Sequence, residues 1–575
     1  MSAPLFPRAR TLRMALLLVP ALVAREGRAV AQATSDAAAS SSSSSASPSL
    51  SSAGVTDSSM TSAAPFGTAV RLGALPSPFA SSGGLEGPAP LPRGLEFTPS
   101  IGLSEEALVG GFPKSYGFDN EFITSLTPGL RVVGTAPIGR VSLDYRPQLE
   151  LYARESRDSG ISQSLNGSFE TQLIPGRLDL SASAFLTQQA TEGGLAPGGS
   201  AAIAPNARTT TQSYLVSPHY RYRFRGLGRL DLVYLAQYTR QTGNSAALSG
   251  SQLPYFVPND VFSQTGSAQF TTVPIFPDLD DVVLVTASQD TGTGVLDGSS
   301  QMRAEDRVRY AFLPQEFLIV SGGYENLRYQ GFPPTHIADA VWSIGLHLHP
   351  RRDVDIRLAY RHRDGFDAPY LRATLQLTPR TTLSASYSET LATQAQAIAA
   401  NLAGSTVSAG GQIVATGTQV PLLLTNNSLS VQSGLFRTRQ FSIATITRWS
   451  RDRLSLNLVR SDETLVANAP GTSGFSQRSL SASATFSHQL TRSATVSAYF
   501  DYSTLDTPQG GALAGLGQSP VYTGALTGTY QTANRLEFDL QLAVTNTSLN
   551  GYGVSPGIAG NGVQASITFG VQKVF

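Results

Sequence analysis

The chain has 575 residues, a formal net charge of +1, 14% charged residues and no cysteine. The even charge balance argues against a nucleic-acid binder, which carries a basic face, and the lack of cysteine removes disulfides, thiolate metal sites and a cysteine nucleophile. Charge this sparse falls below the roughly 25% of ordinary soluble domains, and no apolar run reaches the ~18 residues of a membrane helix.

The first predicted element is a secretory signal peptide over residues 1–31. "MALLLVPALVA" (14–24) follows Arg8, Arg10 and Arg13, and Ala29 and Ala31 suit a small-residue cleavage site. Arg25, Glu26 and Arg28 interrupt that pattern. No cysteine follows, so no lipid anchor is expected. Residues 32–93 run through a Ser/Ala tract into "PSPFASSGGLEGPAPLPRG". Such a composition cannot bury a core and reads as a disordered linker.

From Leu95 onward, segments of alternating apolar and polar residues recur to the end, which defines one domain over 94–575. Alternation with period two means strands with one apolar face. Short turns punctuate them at "GTAPIGR" after Val133, "IPGR" (174–177), "RGLGR" (225–229), "IFPD" (275–278) and "LPQ" (313–315). The series continues with "HPRRD" (349–353), "TPRT" (378–381), "WSRDR" (449–453), "LTRS" (490–493) and "QTAN" (531–534). Eleven longer connections alternate with these ten, including 329–339, 363–368 and 391–436; the stretch 262–299 fits least well. Short turns at one end and long loops at the other mark an outer-membrane barrel, whereas soluble sandwiches mix lengths at both ends. The expectation is an all-β transmembrane antiparallel up-and-down barrel of about 22 strands, within 18–24, in the outer membrane of a Gram-negative bacterium.

Single strands already sort their faces. In "YLVSPHYRYRF" (214–224), Tyr214, Val216, Pro218, Tyr220, Tyr222 and Phe224 face lipid, and His219, Arg221 and Arg223 face the lumen. In "VDIRLAYRH" (354–362), Val354, Ile356, Leu358 and Tyr360 oppose Asp355, Arg357, Ala359 and Arg361. The last strand, "GVQASITFGVQKVF", sets Val563, Ala565, Ile567, Phe569, Val571 and Phe575 on one stripe. Phe569, Gly570, Val571 and Phe575 are read as the signal for the barrel-assembly machinery, with Lys573 departing from the usual apolar residue and reaching the headgroups.

The candidate functional cluster is basic. Arg303, Arg307, Arg309, Arg357, Arg361 and Arg372, joined by Arg363, fall on the lumen face of neighbouring middle strands, near Glu305, Asp355 and Asp364. Two roles fit: a path for an anionic solute, since guanidinium forks bind carboxylate and phosphate, or a salt-bridge ladder that stiffens the wall. His347 and His349 with Asp355 are three potential ligands at one rim, but a polar rim is the expected role and no metal site is assigned. No catalytic constellation and no cofactor motif appears, and no nucleic-acid partner is expected. A 22-stranded transporter is usually plugged, yet residues 32–93 lack the patterning of a folded plug; "TQAQAIAANLAG" in the 391–436 loop is the expected inserted gate, as a short helix.

Several stretches carry a resemblance: "FITSLTPGLRVVG", "GRVSLDYRPQLELYA", "LIPGRLDLSASAFLTQQ", "GRLDLVYLAQYT", "AFLPQEFLIVSGGYEN" and "LTPRTTLSASYSE". They resemble the PEP-CTERM system-associated outer-membrane β-barrel family, across about Leu95 to Phe575. The resemblance implies a barrel in the outer-membrane lipid, with exopolysaccharide or its export components as partners. It implies a channel or accessory in exopolysaccharide export, and it brings no catalytic residues. A general diffusion porin and a closed structural or adhesive surface barrel stay open as alternatives.

Overall fold

A computed structural model describes residues 94–110, 120–154, 156, 159–190, 208–243, 259–273, 278–393, 395–397, 405–407, 413–415, 434–468, 476–506, 519–549 and 560–575. The expected signal peptide and linker lie outside the described residues. In chain order the strands are β1 (Gly94–Gly110), β2 (Glu121–Ala136), β3 (Gly139–Tyr152), β4 (Gly160–Ile174), β5 (Leu178–Ala190), β6 (Arg208–Phe224), β7 (Gly228–Gly243) and β8 (Asn259–Thr272). Then come β9 (Leu279–Gly292), β10 (Ser300–Leu313), β11 (Glu316–Tyr329), β12 (Thr335–Leu348), β13 (Val354–Arg363), β14 (Phe366–Thr378), β15 (Thr381–Thr393), β16 (Ser405–Val407) and β17 (Ile413–Ala415). The chain continues with β18 (Leu435–Arg448), β19 (Asp452–Ala467), β20 (Gln477–Thr491), β21 (Ala494–Asp506), β22 (Ser519–Gln531), β23 (Leu536–Leu549) and β24 (Gly560–Val574).

Each wall strand pairs antiparallel with its sequence neighbour, β15 passes over the small β16–β17 hairpin to pair with β18, and β1 pairs with β24. The result is a closed ring of 22 strands, as the turn count predicts. Closure leaves no sheet edge, the condition under which a sheet crosses lipid without bare backbone groups. At ~4.8 Å per strand and a tilt of about 40°, such a ring is roughly 40 Å across. No helix among the described residues is long and apolar enough to cross a membrane; strands do so instead.

The two faces follow the sequence period. On β23, Leu540, Leu542 and Val544 are exposed outward while Asp539, Gln541 and Thr545 are buried inward. On β24, Val563, Ile567 and Phe569 point out and Ser566, Thr568 and Gln572 point in. On β6, Tyr214, Val216, Tyr222 and Phe224 are exposed and His219 is buried. Large apolar side chains on the outside of a closed ring, with polar ones inside, invert the arrangement of a soluble protein.

One expected long connection is not there. Residues 363–368 hold only a two-residue turn, Asp364–Gly365, with φ of 57° and 76°. That is the Asp-Gly chemistry of a type I′ hairpin, which needs positive φ at both positions. It leaves β13 ten residues long, the shortest strand of the wall. As a result β12 pairs with β13 only over Trp342–Leu348. On the next seam, β14 pairs with β15 only from Leu371 onward.

At the long-loop end the inner wall carries an apolar cluster. Val261, Leu327, Tyr329, Leu391, Leu435 and Ala467 from the wall pack with Val295 and Leu296 from the β9–β10 connection and with Ala395, and Ile337 and Phe366 lie against them. Residues 395–397 are helical, and Gln396 Nε2 donates to Asp290 Oδ2 at 3.1 Å. The start of the expected inserted gate therefore rests on the inner wall; its middle lies outside the described residues.

Candidate functional site: the lumen wall

The structure brings the predicted arginines together on β10–β14 and gives them partners. Arg303, almost fully buried, places Nη2 2.6 Å from Glu325 Oε2 on β11 and 2.9 Å from Asp364 Oδ1 in the β13–β14 turn. Arg307 faces Glu305 at 4.0 Å, and Arg363 lies 3.9 Å from Asp364. Arg309 pairs with Asp280 of β9, its guanidinium 4.6 Å from the centre of the Phe317 ring. Arg357 Nε is 3.4 Å from Asp355 Oδ1, and Arg372 stands opposite Arg357 on β14. Arg361 reaches across the β14–β15 seam, where its Nη2 donates to the Glu389 carbonyl at 2.9 Å. Above it, Arg437 of β18 stacks 4.1 Å over Phe366. At this seam side chains supply what the missing ladder pairs do not.

Arg303 and Arg309 are forked onto carboxylates in the manner of a ladder, whereas Arg307 and Arg363 stand about 4 Å from theirs and Arg361 is held by a carbonyl. A guanidinium already forked onto carboxylates has little to offer a passing anion, and freeing it strands buried charge. Glu305, Asp355 and Asp364 are legible as neighbours in the sequence. Glu325 and Asp280 are partners that the sequence reading missed, although period two in "SGGYENLRY" sets Glu325 inward. Arg221, farther round the ring, pairs with Asp179 and is no part of this cluster.

At the short-turn rim, His347 Nε2 and His349 Nε2 lie 3.3 and 3.4 Å from the two Asp355 oxygens, and the three ligand atoms sit within 4.8 Å of one another. The spacing suits a cation. The local charge does not, because Arg357 Nε donates to His347 Nε2 at 3.1 Å and brings a fixed positive charge to the same place. The group is an ion-paired rim.

Most of the remaining lumen face is hydroxyl and amide. Cross-strand contacts join Ser213 to Thr239 (3.2 Å), Gln237 to Ser213 (2.9 Å), Ser321 to Ser343 (2.6 Å), Ser386 to Ser442 (2.7 Å) and Ser497 to Ser487 (3.0 Å). Small polar pairs at facing positions stabilise the sheet by roughly 0.2–1 kcal/mol each and leave a neutral lining.

The terminal strand places its predicted residues as the alternation requires. Phe569 points outward, Gly570 lies inward between Asp539 and Ser104, and Val571 pairs with Leu103 and Phe538. The exposed Phe575 donates its N–H to the Pro99 carbonyl of β1 at 2.9 Å. Lys573 bonds the Asn534 carbonyl in the neighbouring short turn.

A closed antiparallel ring with an apolar exterior, a polar lumen and short turns at one end defines an outer-membrane β-barrel. No family model matches the sequence, and no curated protein does. Among solved structures, the chain is similar to the FrpB iron transporter of Neisseria meningitidis in its apoprotein form, at 10% identity and a TM-score of 0.45, over 83% of this chain and 81% of that one. It is similar to the ferric-catecholate import receptor Fiu of E. coli K12, at 11% identity and 0.43, over 85% and 82%. It is also similar to OpdO of Pseudomonas aeruginosa, at 9% identity and 0.31, over 84% and 97%.

Proposed function

We propose that the barrel is a passage, or an accessory to one, for a hydroxyl-rich polymer crossing the outer membrane, in exopolysaccharide export. The observation that carries this reading is the set of Ser/Thr/Gln pairs that line the lumen beside the arginine ladder. Sugars hydrogen-bond to hydroxyls and amides, and a conduit must bind weakly at many sites for its cargo to leave. The resemblance to the PEP-CTERM-associated barrels points the same way. The ladder on β10–β14 then serves as a strut beside the conduit.

Deletion of the gene followed by quantification of secreted and cell-surface glycan tests the role. Loss of secreted polymer with accumulation inside the cell is expected. Normal secretion sinks the export reading. If the deletion is silent and large open channels appear in planar bilayers, a general porin replaces it. If no conductance appears at all, a closed surface barrel does.

A further inference from the structure

The strands opposite the arginine ladder carry the other sign. β1 stands eleven strands from β12 whichever way the ring is counted. On β21–β24 and β1–β3, seven carboxylates are buried on the inner face: Asp501, Glu537, Asp539, Glu106, Glu121, Asp144 and Glu150. Only three arginines, Arg131, Arg140 and Arg146, share that face among the described residues, and Arg140 is held by Glu170 of β4. Asp144 is paired with Arg146, and Glu121 accepts backbone N–H groups of Phe122 and Arg154.

Asp539 is different. It is fully buried, and neither of its oxygens has a hydrogen-bond partner among the described residues. Glu537 lies two residues away on the same face. The register neighbours of Asp539, Thr529 and Gly570, bring a hydroxyl and no side chain at all. A buried carboxylate with nothing to bond is strongly disfavoured unless a cation or a proton joins it. The carboxylate of Glu537 and the hydroxyl of Thr529 bring oxygen to its side, which suits a hard cation. The two walls also act separately: the ring is roughly 40 Å across, several times the ~8 Å screening length of physiological salt.

We propose that the acidic wall is a cation lane, with Asp539 and Glu537 as the place where a hard divalent cation such as Ca²⁺ dwells, so that the lumen passes cations in preference to anions. The selectivity half of this rests on the passage reading; the binding half does not.

Two measurements on the full-length folded barrel separate them. In planar bilayers under a KCl gradient, the reversal potential should report K⁺ over Cl⁻, and Asp539→Asn with Glu537→Gln should move it toward zero. In detergent, Ca²⁺ should raise the temperature at which the folded band converts to the unfolded one on gels, and the same pair of changes should remove that shift. Asp539→Asn deletes no hydrogen bond, so folding should survive; Glu537→Gln alone is the control if it does not. Chloride selectivity, or a potential unchanged in the variant, overturns the lane. A Ca²⁺ shift that is absent, or that persists in the variant, overturns the site. A barrel that shows the Ca²⁺ shift but never conducts refutes the lane and the passage reading together and leaves the site standing.

Discussion

Replacing Arg303 with methionine tests whether the β10–β14 cluster is a strut. Arg303 bridges Glu325 and Asp364, at 2.6 and 2.9 Å, with Arg363 farther from Asp364 at 3.9 Å, and the Arg303, Glu325 and Asp364 side chains are almost completely buried. Breaking a buried ion pair from one side costs about 3–5 kcal/mol, because the partner is left charged and dry. Here one change strands Glu325 and leaves Asp364 with only the more distant Arg363, so Arg303→Met should cost about 3–5 kcal/mol. Asp364 also holds the β13–β14 turn inward, so the variant should loosen that hairpin. The triple variant with Glu325→Gln and Asp364→Asn removes the stranded charge, and asparagine keeps the positive φ at 364 accessible. Its stability should return to within about 1–2 kcal/mol of the parent, since a neutral replacement of a buried triad is often close to neutral in stability. Urea unfolding in micelles, followed by the fluorescence of Trp342 and Trp449, measures both. A loss below about 1 kcal/mol for Arg303→Met would refute the strut, because that is the range of an exposed pair. Failure of the triple variant to recover would show that shape, not charge pairing, is what the site needs.

Other changes probe the faces, the turn and the chain end. Leu542→Arg, on the outward face of β23, should destabilise the barrel by about 2–4 kcal/mol in a mid-membrane position, and Thr527→Arg on the inward face of β22 should cost much less; equal costs in vesicle refolding would show the faces misassigned. Gly365→Ala should cost about 1–2 kcal/mol, since residue 365 has φ of 76° and a Cβ there meets Ile337 at 3.3 Å; unchanged urea midpoints would contradict the strained turn. Removing Phe575, or replacing it with Asp, should stop membrane assembly in cells, and normal heat-modifiable migration of that variant on gels would show the prediction wrong.

The wall was legible because a strand between lipid and lumen has to alternate. "YLVSPHYRYRF" shows both faces without any neighbour, and the turn residues between such runs number the strands. The hairpin at 363–366 reads as a loop in the sequence because Phe366 and Asp367 follow a Gly and continue no alternating run of their own, whereas in the fold Asp364–Gly365 is itself the turn and Phe366 pairs with Arg363. At the site, positions on one face were readable, but pairings were not. Arg303 meets Asp364 across three strands of curvature, which no linear spacing encodes. The opposing acidic wall escaped notice for the same reason: β21 and β3 lie hundreds of residues apart, and only closure of the ring makes them one surface.

The β1–β24 seam has a consequence for how the chain maps onto the wall. With Ser100–Gly110 laddered against Gln564–Val574, that junction is bonded like any other around the circle. The fold is thus a loop of strands that the gene opens at one place. A rearranged gene that links the two ends and begins instead within any long connection, such as the one between β7 and β8, specifies the same neighbours for every strand. Order of synthesis would change; the cylinder would not.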